Sequence, residues 1–217
     1  MIVSVIIPTL NEVDNIEGCL KTLRSEFRGE LLVVDGGSTD GTAARAMQLG
    51  ARLYTSQKGL AAQCNEGAEE AMGEVLFFLS ADSRVRPGWL RAISEAMQSP
   101  NVVGGGFRLE LDDPHWNYRL VEFGGNFRSR YLGVALADQG LFVRRRVFER
   151  LGGFSESSLI PHAFFCRRLK EAGEFVLLNH GILSSARKWK NEGLLTTVAD
   201  HARTYLNYRY KELPPHA

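Results

Sequence analysis

The chain has 217 residues, enough for one domain with a sizeable core, and 24% of them are charged with a formal net charge of +1. That balance gives no general attraction to a polyanion, so a nucleic-acid partner is not expected. Cys19, Cys64 and Cys166 lie far apart in helical patterns rather than in metal-type pairs, which predicts buried reduced thiols and a cytoplasmic setting.

Residues 2–7 are an apolar run that predicts a buried strand, stopping at Pro8-Thr9-Leu10-Asn11-Glu12. With a strand predicted from residue 2, no secretory leader is expected, and no run approaches the roughly 18 apolar residues of a membrane span. Ile16, Cys19, Leu20, Leu23 and Phe27 then recur at helical spacing behind Asp14 and Asn15, and a strand at 31–34 follows, so the opening reads βαβ. Residues 42–49 predict a short helix ended by Gly50, and 52–55 a short strand. An alanine-rich helix is expected over 60–72, closed by Gly73 before a strand at 75–79. Strands alternating with short helices imply a parallel sheet covered on both faces.

The second half changes pattern. Residues 106–111 alternate with period two, as in a strand with one wet face. Trp116, Leu120, Phe123 and Phe127 are spaced for one helix face and are expected to pack into the core. Further strands are expected at 140–143 and 175–178, with a helix at 164–172 ended by Gly173. Near the C-terminus Leu194, Leu195, Val198, His201, Ala202, Tyr205, Leu206 and Tyr208 suggest an amphipathic helix bearing an excess of Lys and Arg. Its apolar face suits core closure, a homodimer contact, or peripheral attachment to the inner face of an anionic membrane. No repeat or linker divides the chain.

Three apolar strands deliver polar residues at one end. Asp35 ends the second and is followed by Gly36-Gly37-Ser38-Thr39-Asp40-Gly41-Thr42; the third leads into Ser80-Ala81-Asp82-Ser83. Open α/β sheets bind ligands at such strand ends. A G-x-G-x-x-G turn follows none of them, which argues against a dinucleotide oxidoreductase. These three segments, in this order, resemble the nucleotide-sugar motifs of family 2 glycosyltransferases with the GT-A fold. The similarity continues through Gly140-Leu141-Phe142-Val143-Arg144-Arg145 and Phe148-Glu149-Arg150-Leu151-Gly152-Gly153-Phe154. It implies an α/β fold of GT-A type, with a mostly parallel central sheet and helices on both faces. A single domain over 1–217 is expected, with 1–100 binding a nucleotide-sugar and 101–217 forming an acceptor half with the C-terminal helix.

The resemblance implies roles for particular residues. Asp35 is assigned to the base, Asp82 to the ribose or a metal, and Pro8, Thr9, Asn11, Glu12, Gly37, Ser38 and Ala81 to the nucleotide surroundings. Lys58, Gln63 and Asn65 border the nucleotide, and Arg187 lies where a cation would stabilise the departing diphosphate. Simpler roles stand beside these: Asp35 and Asp40 as helix caps, Lys58 as a solvated lysine, and Arg187-Lys188 as a surface pair next to a core Trp189. The implied cofactor is Mg²⁺ or Mn²⁺, held by Asp82 and the donor phosphates, because Ser80 stands where the family has its first metal carboxylate. Where relatives carry an acidic pair that supplies the base, this chain has Pro161-His162, so His162, Asp138 and Glu156 are the candidates.

These assignments predict an inverting, metal-assisted glycosyltransferase that moves a sugar from a UDP- or GDP-type donor to a hydroxyl acceptor. A nucleotide-sugar binding or regulatory protein of the same fold, impaired in catalysis, is the alternative. A nucleotidyltransferase would share the pocket but release pyrophosphate.

Overall fold

A computed structural model describes residues 1–158, 160–187 and 190. Its first half follows the expected alternation: β1 (Val3–Thr9), α1 (Val13–Arg24), β2 (Glu30–Asp35), α2 (Thr42–Gln48), β3 (Arg52–Thr55), α3 (Leu60–Glu70) and β4 (Val75–Phe78). Then come β5 (Ser83–Val85), α4 (Trp89–Ala96), β6 (Val102–Leu111), α5 (Trp116–Phe127), β7 (Leu141–Arg144), α6 (Arg145–Arg150), α7 (Pro161–Ala172) and β8 (Glu174–Ser184). The expected C-terminal helix lies outside the described residues.

The strands form one sheet in the order β3-β2-β1-β4-β7-β6-β8-β5. Four of its seven pairings are parallel, so the sheet is mixed with a parallel majority. Its parallel half is buried on both faces. Val5, Ile7, Val33 and Phe77 join Ile16, Leu20 and Leu23 of α1 and Trp89 of α4 on one side. Ile6, Val34, Leu76 and Phe78 join Cys64 of α3, Phe148 of α6 and Phe165 of α7 on the other. Alternate residues of each strand therefore feed two cores, which explains continuous apolar runs where a half-wet strand would alternate. Each fully buried Leu or Ile contributes roughly 1.5–3 kcal/mol.

Several boundaries differ from the sequence reading. α3 stops at Glu70, and Gly73 is no helix cap: a Cβ there would lie 2.6 Å from the Ser4 backbone nitrogen, so the glycine lets the chain cross β1 closely. Helix α7 begins at Pro161, whose fixed φ suits a first turn. β8 runs through Ser184, well past the expected four residues, because it pairs with the whole length of β6. All three cysteines are buried and unpaired, and burial pushes the Cys19 and Cys166 thiols up to about 12.

The largest correction concerns α5. Its periodicity is helical as expected, but the aromatic stripe faces outward: Trp116 is 68% exposed, Phe123 71% and Phe127 52%. The inward face is polar. Glu122 accepts a hydrogen bond from the Leu111 N–H at 2.6 Å, while Asn126 accepts from the Leu109 N–H at 2.7 Å and donates to the Leu109 carbonyl at 3.1 Å. Strand β7 covers only Gly104–Gly106 of β6, so these side chains satisfy backbone groups on a strand edge that has no partner strand there.

Candidate active site

The direction of the strands gathers the site. β1, β2 and β4 are parallel, so Thr9, Asp35 and the Ser80–Asp82 loop leave the sheet at one rim. β7 runs antiparallel to β4 with Leu141 opposite Phe78, which brings Asp138, just before it, to the same rim. β8 ends there as well, since Ser184 pairs with Ser83.

Asp35 is buried and ordered by its own loop. Its carboxylate accepts from the N–H groups of Gly37 at 3.1 Å and Ser38 at 2.8 Å, and from the Ser38 hydroxyl. Thr9 lies directly opposite, its hydroxyl 3.4 Å from Asp35 Oδ1. Gly37 has φ +96°, a left-handed conformation in which a side chain would be strained. Asn11, itself at φ +56°, accepts from the Thr39 N–H at 2.9 Å, and its own N–H donates to the Ser38 hydroxyl at 2.9 Å. The two motif loops thus lock each other. Asp40 accepts from the Thr42 and Val13 N–H groups at 3.0 and 3.1 Å, tying the start of α2 to the start of α1.

Pro8 and Asp82 are half-buried and Ala81 is buried. Asp82 Oδ1 accepts from the Ser80 hydroxyl at 2.7 Å, so Ser80 orients the carboxylate. No group of three His, Cys, Asp or Glu side chains that could hold a metal is found among the described residues. One half-exposed carboxylate beside a hydroxyl suits a hard cation that takes its remaining oxygens from donor phosphates and water.

Lys58 is exposed on the loop between β3 and α3. Gln63 is buried and donates to the carbonyls of Thr9 at 2.7 Å and Val34 at 2.8 Å, bracing the ends of β1 and β2. Asn65 donates to the Phe154 carbonyl and accepts from the Phe154 N–H, both at 2.9 Å. Its amide is engaged in holding the α6–α7 connection.

Arg187 extends the rim. Its guanidinium pairs with Glu12 at 3.1 Å, and Glu12 also accepts from the Asn15 amide at 2.6 Å. Trp189 falls outside the described residues. Asp138 is half-buried in a 3₁₀ turn, Ala137–Gln139. Gln139 anchors that turn: it accepts from the Ser129 hydroxyl at 2.7 Å and Arg128 at 3.0 Å, and donates to the Phe107 carbonyl at 3.3 Å. Sequence reasoning passed over Gln139, whose only signal was a lone amide leading into an apolar strand.

His162 lies deeper. It is buried, its ring packs on Phe154 at 4.7 Å, and Phe154 in turn touches Phe78 at the end of β4. Its Nδ1 has no hydrogen-bond partner among the described residues, and burial lowers its pKa from 6.5 to about 4. Glu156 is exposed in the connection before α7.

Comparison with known proteins identifies the family and the fold. Residues 4–168 match the family described as Glycosyl transferase family 2. Among curated relatives, glycosyltransferase AglE of Haloferax volcanii is 28% identical over 199 residues, covering 83% of this chain and 65% of its own length. A PGL/p-HBAD biosynthesis glycosyltransferase of Mycobacterium bovis is 40% identical over 167 residues, 70% of this chain and 62% of the relative. The chain thus spans somewhat less than two thirds of these relatives. The fold is that of the mannosyltransferase PcManGT from Pyrobaculum calidifontis, solved with GDP-Man and Mn²⁺, at TM-score 0.70 and 18% identity over 98% of this chain and 66% of that one. TarS of S. aureus, solved with UDP-GlcNAc, superposes with TM-score 0.65 and 18% identity, covering 85% of this chain and 58% of that one. Among the described residues no helix is long and apolar enough to cross a membrane. The chain belongs to glycosyl transferase family 2 and has the GT-A fold.

Proposed function

We propose that this chain is an inverting glycosyltransferase that transfers a sugar from a nucleoside-diphosphate donor, of UDP or GDP type, to a hydroxyl acceptor. The observation that carries this reading is the convergence of Asp35, Asp82, Asp138 and the Glu12–Arg187 pair on one sheet rim. In this reading residues 1–100 bind the donor and the remainder meets the acceptor. The loops of Pro8–Glu12 and Asp35–Ser38 enclose the nucleoside, and Lys58 reaches the phosphates from the facing loop.

Asp82 would hold a Mg²⁺ or Mn²⁺ ion, which supplies positive charge against the diphosphate. In the transfer step the acceptor oxygen attacks the anomeric carbon from the face opposite the diphosphate. The bond to the diphosphate oxygen breaks, and its electron pair leaves with the nucleoside diphosphate. The acceptor proton goes to a base, and the configuration inverts. We assign that base to Asp138 rather than His162, because Asp138 is half-buried at the rim whereas His162 is fully buried against Phe154. Arg187 offers a fixed guanidinium to the leaving group.

The second reading, a nucleotide-sugar binding protein without turnover, is favoured by Ser80 in the metal loop and by the burial of His162. Incubation with UDP- and GDP-sugars, Mn²⁺ and a hydroxyl acceptor separates the readings. Nucleoside diphosphate release with an inverted product is expected; binding without release would favour the second, and pyrophosphate release would refute both.

A further inference from the structure

We propose that the outer face of α5 docks this protein onto an anionic lipid bilayer. Trp116, Leu120, Phe123 and Phe127 of α5, and Tyr131 in the π-helical turn Arg128–Leu132 that continues it, follow one another at spacings of four, three, four and four residues, and all are more than half exposed. The rings form a ribbon: Phe123 and Phe127 lie 6.3 Å apart, and Phe127 and Tyr131 4.6 Å. A helix that turned its apolar face out by chance would leave its polar face idle. Here Glu122 and Asn126 are used on the inner side, on the backbone of β6, and Gly125 packs against Leu109. Rotating the stripe inward would strand those strand-edge groups, so the arrangement holds the aromatic face outward.

Charge selects the occupant. Between residues 114 and 132 the cations Arg119, Arg128 and Arg130 outnumber the single carboxylate, Glu122, which accepts from the Leu111 N–H and pairs with Arg119 at 2.8 Å. Lys170 adds a further cation at the C-terminal end, its ammonium donating to the Leu132 carbonyl at 2.9 Å. Arg130 is exposed and has no ion-pair partner among the described residues. A second copy of the chain is a poor match. Pairing the stripe antiparallel about its midpoint sets Arg119 against Arg128, and pairing it parallel in register sets each arginine against itself, so either arrangement brings like charges together. A bilayer with anionic headgroups accepts both features: Trp, Tyr and Phe suit the headgroup boundary, and the exposed Arg130 and Lys170 meet lipid phosphates.

The stripe also begins beside the candidate active site. Asp112 accepts from the Ala186 N–H at 2.7 Å, and Arg187 next to it pairs with Glu12. Docking through α5 would therefore bring that rim toward the lipid surface, although docking itself does not depend on the transfer chemistry.

The test is co-sedimentation of the full chain with vesicles of phosphatidylcholine alone, or with phosphatidylglycerol added, at low and high salt. Wild type should sediment with the anionic vesicles and be released by salt. The double variant Phe123→Glu, Phe127→Glu changes only exposed side chains; it should keep its circular dichroism and lose at least about tenfold in vesicle affinity. Wild type left in the supernatant overturns the proposal. So does a double variant that binds as wild type does while deletion from Asn191 onward abolishes binding, which assigns attachment to the C-terminal segment. A wild-type dimer that the double variant converts to monomer, without vesicle binding in either, overturns it in favour of self-association.

Discussion

Arg187 and Glu12 lie 175 positions apart in sequence and meet as an ion pair at 3.1 Å, joining the end of β8 to the first motif loop. The pair is partly solvated, with side-chain exposures of 49% and 22%, so its contribution to stability is below about 1 kcal/mol.

A first prediction follows from that weakness. Arg187→Ala should move the melting temperature by no more than about 4 °C, because the ion pair is screened. It should lower kcat by about 10²-fold or more if the guanidinium stabilises the leaving diphosphate. Thermal melts alongside steady-state kinetics check this, and unchanged turnover would leave the arginine a structural tie.

His162 should make the protein acid-sensitive. Its folded pKa of about 4 lies below the ordinary 6.5, so the unfolded chain binds the proton first as pH falls. The stabilisation is complete above the unfolded value and is lost as pH drops from about 6.5 toward 4, amounting to on the order of 3 kcal/mol. Urea unfolding near neutral pH and near the lower end of that window should show wild type losing more stability than His162→Phe. Parallel losses would mean that the imidazole is not enclosed as described.

Asp82→Asn should weaken Mn²⁺-dependent nucleotide binding more than metal-free binding, as measured by titration calorimetry. Equal losses would remove Asp82 as a metal ligand. Conversely, Ser80→Asp should tighten metal-dependent binding, since a second carboxylate adds an oxygen ligand, while the repulsion between the two carboxylates destabilises the metal-free protein.

Asn65 separates a structural role from a ligand role. Both of its hydrogen bonds go to the Phe154 backbone, so Asn65→Ala should cost about 1–3 kcal/mol in unfolding free energy with nucleotide affinity nearly unchanged. A tenfold loss of affinity with stability intact would instead put the amide on the nucleotide.

The parallel half of this protein was legible along the chain because its information is local. Continuous apolar runs ending at Thr9, Asp35 and Ser80, separated by short helices, admit few arrangements other than parallel strands with polar ends at one rim. The motif loops could be read for the same reason: Gly37, Ser38, Asp40 and Thr42 act within a few residues of one another. What could not be read depends on distant partners. The expected nucleotide contacts Gln63 and Asn65 brace backbone 54 and 89 residues away, and Gln139 reaches back to Phe107.

Helix α5 shows most clearly what each level decides. Periodicity alone established that Trp116, Leu120, Phe123 and Phe127 share one face. Which way that face points was set by β6, which leaves the N–H of Leu111 and both backbone groups of Leu109 without a partner strand. Backbone polar groups left unpaired away from water are costly, and Glu122 and Asn126 satisfy three of them, so the polar side of the helix is drawn inward. The sequence by itself determines the helix, its stripe and the order of the motif strands. Only the tertiary structure, by leaving one edge of β6 open, decides that the stripe faces outward.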